Sequence, residues 1–354
     1  MSGERHPGSV AGSIRGRGTA ENPANRFEPM HVEFDEPSSA KVRTRYYEDA
    51  TRSILARNDS PDIPFDIGIN PYRGCEHGCV YCYARPSHEF LGFSAGLDFE
   101  SRIMVKKNAP ELLRAALADP GYQARMIALS GNTDCYQPIE SKLRITRSCL
   151  EVLAEFRNPV GIITKNRLVI RDIDVLGELA GFNAASVTFS VTTLDNELRR
   201  KLEPRASNPR ARIEAIRSLN EAGIPTGVMI APTIPGLTDH EIPAILEAAA
   251  DAGARWAGYQ VMRLPGPVLP LFVGWLEEHY PDRKERVLAR LRDLRQGELT
   301  DGRFGLRMRG SGVMAEQIRR VFQVHRRRVG IPEDSESLST EHFRRSAGVQ
   351  LSLF

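Results

Sequence analysis

Six short runs rich in β-branched and apolar residues, at 66–71, 125–130, 160–164, 186–192, 226–231 and 256–262, alternate along the chain with stretches of helical period. This order constrains the fold more than any other feature. A strand that returns beside its predecessor in the same direction needs a crossover, and a helix on the sheet face supplies one of right-handed sense. Several helices have readable ends. Asn208 and Pro209 form the N-cap and first position of one, Ile213, Ile216 and Leu219 its apolar face, and Gly223 its stop. Thr238 and Glu241 read as a capping box ahead of Ile242, Ile245 and Leu246, with Gly253 closing that helix. Further helical stretches lie within 101–117, entered at Asn108, Ala109 and Pro110, and within 140–156. The expected fold class is α/β, a partial (β/α)6 TIM-like barrel with its chemistry at the C-terminal ends of the strands.

This core is expected to span 59–300. Residues 1–58 are rich in Gly, Pro, Arg, Asn and Ser without a sustained period, and the extension they form is expected to be largely disordered. Residues 301–346 form a basic helical extension. From Arg303 to the last residue, ten arginines against five acids leave +5 in a chain of net charge +3, a distribution that suits contact with a polyanion. Within it, 310–328 reads as a helix with Met314, Ile318, Val321 and Phe322 on one side. Arg319, Arg320, Arg326, Arg327 and Arg328 fall largely elsewhere, where they could lie on phosphates. Residues 347–354 are a short tail.

Cys75, Cys79 and Cys82 stand in the run GCEHGCVYCYARP directly after the first strand, spaced C-x3-C-x2-C. Five cysteines in all, and an N-terminus without an apolar signal region, point to reduced thiols in a cytoplasmic protein rather than to a disulfide framework. No apolar stretch approaches the roughly 18 residues of a membrane span. Three thiolates on one loop can hold three corners of a [4Fe-4S] cluster and leave the fourth iron open. Zinc is the alternative; it needs a fourth ligand, which His77, His88 or Cys135 could supply, although the spacing is unlike paired C-x2-C knuckles. His77 otherwise reads as a solvated residue or a neighbour of the ligands. Polar residues after the other strands gather on the same rim: Asn132, Thr133 and Asp134 after the second, Lys165 and Asn166 after the third, Ser190, Thr192 and Thr193 at the end of the fourth. Such residues are ordinary turn formers, but their coincidence on one rim points to a site. Cys149, beside Leu150 and Leu153 in a helical pattern, reads as core.

The triplet after a first strand, with Tyr81 just before its third cysteine, resembles the radical S-adenosylmethionine (radical SAM) superfamily. The wider NPYRGCEHGCVYCYARPSHEF, with TDCYQPIE further on, resembles its spore photoproduct lyase-related branch. The resemblance implies a [4Fe-4S] cluster on Cys75, Cys79 and Cys82, with S-adenosylmethionine chelating the fourth iron through its amino and carboxylate groups. Reductive cleavage of the sulfonium would give a 5′-deoxyadenosyl radical that takes hydrogen from substrate, with flavodoxin or ferredoxin as electron donor. It further implies Tyr81 near the adenine, Asn132, Thr133 and Asp134 near the methionine amino group, Lys165 at its carboxylate and Ser190 at the ribose, with Arg205 in the same pocket. Cys135 is the thiol closest in placement to the cysteine that returns hydrogen in spore photoproduct lyases, although it follows the polar triplet where the lyase cysteine precedes it. Its other reading is a small residue beside the site.

The tail ends in QLSLF and resembles the peptide by which bacterial replication and repair proteins bind the β sliding clamp. Leu351, Leu353 and Phe354 would fill apolar pockets and Gln350 would hydrogen-bond at the rim; the alternative is docking on the protein's own core. The function expected is a radical SAM enzyme in DNA repair or DNA metabolism, without a membrane partner. An enzyme of the same mechanism modifying RNA, a protein or a metabolite is one alternative, and a non-catalytic metal-binding adaptor of the clamp is another.

Overall fold

In the computed structural model, which describes residues 14–27, 42–333 and 337–345, the six expected strands form one parallel sheet. They are β1 (Ile67–Ile69), β2 (Ile127–Leu129), β3 (Val160–Thr164), β4 (Ala185–Ser190), β5 (Thr226–Thr233) and β6 (Trp256–Val261), paired in sequence order. Gly68 lies opposite Ala128, Ile127 opposite Val160, Val160 opposite Ala185, Val187 opposite Thr226 and Gly227 opposite Trp256. The sheet stays open, because a short antiparallel strand, Leu55–Arg57, takes the free edge of β1 and β6 forms the other edge. The architecture is a partial (β/α)6 barrel. Its core is made by strand residues such as Leu129, Ile162, Val187, Phe189, Val228 and Ile230 beneath the crossover helices. Each such side chain contributes about 1.5–3 kcal/mol by leaving water.

Local signals acted as expected where their partners are local. Asn208 accepts the amide of Ala211 at 2.7 Å, Pro209 starts the helix Pro209–Glu221, and Gly223 leaves it with φ of +78°. The capping box does not form. Thr238 Oγ1 accepts the amide of Ile234 at 2.9 Å, and the Glu241 carboxylate crosses to Thr193 Oγ1 and the amide of Leu194, each at 2.6 Å. The expected cap instead ties the end of β5 to the end of β4.

Within the extension before residue 59, the described residues 14–27 and 42–58 are engaged with the rest of the chain. Residues 45–48 form a strand parallel to Arg102–Val105 in a separate three-stranded sheet completed by Tyr72–Arg73. Residues 14–27 run along the segment 88–100, with Ile14 buried; the amide of Leu97 donates to Glu21 O at 2.8 Å and Ser94 Oγ to Pro23 O at 2.7 Å. An irregular segment held by distant partners carries no period for a sequence reading to detect.

After the barrel, the helix Gly312–Arg328 packs Ile318 and Phe322 inward, with Phe322 4.8 Å from the Tyr259 ring. Arg319 and Arg320 share Glu316, and Arg326 turns inward to Glu333, so the basic stripe is partly neutralised within the chain. Further on, Phe343 packs against Phe156 and Tyr122, Arg344 donates to Glu155 O, and Arg345 donates to the carbonyls of Pro120 and Tyr122. These partners precede β2 and β3, so the described chain ends on the face opposite the rim. Gln350, Leu351, Leu353 and Phe354 lie outside the described residues. Among the described residues no helix is long and apolar enough to cross a membrane.

Candidate active site

The three cysteines occupy the loop that follows Tyr72–Arg73. Its bends are held by backbone bonds: Cys75 N to Phe99 O at 2.9 Å, Cys82 N to Cys79 O at 3.2 Å and Val80 N to Leu202 O at 3.1 Å. Cys75 and Cys82 pack with Ala84 and Phe99, while Cys79 joins the main core. Burial pushes the Cys79 thiol well up and the Cys82 thiol to about 11, so the thiolate form of this loop calls for a compensating cation.

The three thiols are the donor set that a [4Fe-4S] cluster with one open iron requires. His77 is buried, its Nδ1 3.3 Å from Asp134 Oδ2 and its Nε2 3.3 Å from Asn166 Nδ2. His88 lies between the rings of Phe93 and Phe99, and the Cys135 thiol donates to Leu129 O at 3.7 Å. Cys135 is thus engaged elsewhere and His77 is held between Asp134 and Asn166, whereas both ring nitrogens of His88 are buried without a hydrogen-bond partner among the described residues. Three thiols on one loop would hold three irons of a [4Fe-4S] cluster and leave the fourth without a protein ligand.

Tyr81, between the second and third cysteines, is buried with its hydroxyl donating to Glu203 and 3.0 Å from Thr192 Oγ1. Glu203 is fully buried. It also receives Thr192 Oγ1 at 2.7 Å and the Arg212 guanidinium, and Lys165 Nζ stands 3.8 Å away. Burial alone would raise this carboxyl; Arg212, then Lys165, outweigh it and pull it down to about 2. Lys165 Nζ additionally donates to Ala231 O at 3.3 Å and lies 5.9 Å from the Tyr81 ring centroid. Ser190 ends β4 in the same wall, its carbonyl taking Arg212 Nη1 at 2.8 Å.

Asp134 stands on this rim but its oxygens are occupied, by Thr164 Oγ1 at 2.8 Å, the amide of Tyr136 at 2.9 Å and the amide of Lys165 at 2.7 Å. Burial pushes its carboxyl up; His77 beside it and these donors outweigh that and hold it below the ordinary value. It locks the end of β2 to the end of β3. Thr133 Oγ1 donates to Gly74 O at 2.8 Å, fixing the cysteine loop, and Asn132 stands exposed.

Two expected residues are elsewhere. Arg205 turns to the outer side of the loop, where it pairs with buried Glu76 at 2.9 Å and reaches Thr44. Cys135 is fully buried: its amide donates to Ser130 Oγ at 3.3 Å and its carbonyl accepts Thr146 Oγ1 at 2.6 Å, which turns the sulfur under the strand end. Glu203 and Arg212 are what the sequence reading missed. A signal existed for Arg212, which occupies the apolar face of its helix with Ala215, Ile216 and Leu219.

The mouth of the barrel carries a second group. Tyr83, 44% exposed, bonds Gly131 O, and the Arg263 guanidinium lies 5.5 Å from its ring centroid. Residues 303–309 bridge the open edge: Gly305 N donates to Asp62 Oδ1 at 2.6 Å, Arg307 pairs with Asp62, and Met308 Sδ is 2.9 Å from Gln260 Nε2. Phe304 is 57% exposed beneath Arg307, 4.3 Å from its ring centroid.

Comparison with known proteins agrees with this geometry. The family model described as Radical SAM superfamily matches residues 69–249. An uncharacterized protein of Mycobacterium tuberculosis (strain ATCC 25618 / H37Rv) is 36% identical over 234 residues, 66% of this chain and 68% of its own length. A radical SAM Nalpha-GlyT isomerase of Pseudomonas phage M6 is 27% identical over 241 residues, covering 64% of this chain and 48% of the phage protein. Among solved structures, spore photoproduct lyase complexed with dinucleoside spore photoproduct superposes with a TM-score of 0.57 at 16% identity, over 80% of this chain and 79% of the lyase. The cofactors that go with the matched segment are a [4Fe-4S] cluster and S-adenosylmethionine. A cysteine triplet on the loop after β1 and a family match across β1 to β5 lead to one conclusion: this chain is an enzyme of the radical SAM superfamily, built on the fold of spore photoproduct lyase.

Proposed function

We propose that this enzyme abstracts hydrogen from a nucleotide unit of DNA, in repair or DNA metabolism. When bound, the cluster and S-adenosylmethionine supply a 5′-deoxyadenosyl radical; the chain's own residues hold, orient and shield. Cys75, Cys79 and Cys82 would hold three irons of the cluster. Lys165 presents an ammonium for the methionine carboxylate, kept in place by Ala231 O and Glu203, and Ser190 a hydroxyl for the ribose. Tyr81, pinned by Glu203 and Thr192, gives the adenine a fixed wall.

The observation that carries the DNA reading is the mouth. Two exposed aromatic rings, Tyr83 and Phe304, offer stacking for bases at the entrance, and Arg263 over Tyr83 offers charge for phosphates, while Arg307 over Phe304 is already paired with Asp62. The basic extension and the clamp-like tail support the same reading.

The deciding measurement is anaerobic 5′-deoxyadenosine formation by the reconstituted enzyme with and without damaged or undamaged DNA. DNA should stimulate cleavage several-fold. Equal rates with and without DNA, together with stimulation by RNA, a peptide or a metabolite, would move the substrate to that class.

A further inference from the structure

The chain before the barrel meets the cysteine loop at its centre. Gly78, directly before Cys79, has φ of +66° and lies against Glu100, whose Oε2 would be 2.6 Å from a Cβ there. Glu100 is fully buried and pairs with Arg85, which also donates to Cys79 O at 3.0 Å. The remaining Glu100 oxygen takes the amide of Gly18 at 2.9 Å, and Arg17 Nη1 reaches the Glu100 carbonyl at 2.5 Å. Gly18 is so close to the loop that a Cβ would fall 1.7 Å from the carbonyl oxygen of Gly78, a backbone atom with no room to yield.

The same segment is then fastened along its length. Asn22 and Asp98 exchange two hydrogen bonds, of 3.2 and 3.0 Å; Asn25 Nδ2 donates to Glu89 O and Phe93 O; Arg26 pairs with Glu89 at 2.7 Å. A Cβ on Gly96 would meet Glu21 O at 2.0 Å, so the two backbones touch at both ends of the contact.

From this geometry we infer that residues 18–26 are a clasp over the cysteine loop, with Gly18 and Glu100 as positioning residues that hold the Cys75-to-Cys79 turn and keep solvent and chelators from the iron. The inference rests on reading Cys75, Cys79 and Cys82 as the cluster ligands. A segment held by hydrogen bonds and one ion pair, with little apolar burial, opens at lower free energy than the barrel core, so access to the cluster is governed by the clasp rather than by global unfolding.

The test uses the full chain, reconstituted anaerobically, and follows iron transfer to a ferrous chelator together with the EPR signal of the reduced cluster. Gly18→Val, which collides with Gly78, should take up iron to the parent level and release it about tenfold faster or more, with apo-protein unfolding unchanged within error. Thr19→Ala should release iron at the parent rate. If Gly18→Val does not accumulate as folded protein, Asn22→Ala combined with Arg26→Ala removes three of the segment's side-chain fastenings without a clash and should show an acceleration in the same direction. Parent release rates in whichever of these variants folds would overturn the clasp. Cys79→Ala separates the two ideas: failure to hold the parent's cluster upholds the ligand reading whatever Gly18→Val does, and a Cys79→Ala protein with the parent's iron content and EPR signal would overturn it.

Discussion

The Glu203 carboxylate accepts a hydrogen bond from the Tyr81 hydroxyl, so the residue between the second and third cysteines is held by an acid that follows β4. Glu203 in turn is held by Arg212, and neither side chain meets solvent. A buried pair of this kind adds little net stability when intact, but losing one member leaves an unpaired buried charge.

Glu203→Gln should therefore destabilise the apo-protein by about 3–5 kcal/mol, read as a shift of the urea midpoint at constant slope. Replacing both Glu203 and Arg212 by apolar residues of similar volume should cost much less than the single change. Equal losses in single and double variants would remove the pair from the stability argument.

The same carboxyl makes a pH prediction. Its value falls from the ordinary 4.5 to about 2 on folding, so its contribution is fully present above the unfolded value and is lost as pH drops from about 4.5 through about 2. Acid unfolding of the parent should steepen in that window, and Glu203→Gln should flatten that limb.

Lys165 stands 3.8 Å from Glu203 Oε1 and 5.9 Å from the Tyr81 ring centroid. Lys165→Ala should weaken S-adenosylmethionine binding by roughly ten- to hundredfold, the range of a lost charge-assisted hydrogen bond. Equilibrium binding to the reconstituted protein checks it, with iron content unchanged as the control.

At the mouth, Arg263→Ala should weaken DNA binding and lower the salt dependence of the affinity by about one unit of slope if the guanidinium meets a phosphate. Phe304→Ala should weaken binding by about 1–3 kcal/mol with the slope unaltered, as expected for lost stacking. A titration series across salt concentrations distinguishes the two.

Deleting Gln350 to Phe354 should abolish retention on immobilised β clamp and leave S-adenosylmethionine cleavage intact. Retention at the parent level would separate the tail from clamp binding.

Legibility followed the range of each interaction. All six strands appear where β-rich runs stand, and Asn208 caps its helix, because both depend on neighbours within a few residues. The Thr238 and Glu241 box failed because Glu241 had better partners at Thr193 and Leu194, invisible at a separation of 47 or 48 residues. Arg205 was read into the pocket and Glu203 was not, although the two lie in the same LEPRAS run; backbone direction decided which one faced inward.

What the sequence determined by itself was the order of strands and helices and the spacing of Cys75, Cys79 and Cys82, because periodicity and a ligand loop are local properties of a chain. The tertiary structure alone decided which charges meet. Glu203 collects donors from residues 81, 192 and 212, and Glu100 joins Arg85 to Gly18, because a buried carboxylate must find its partners among whatever segments the fold brings within hydrogen-bond reach.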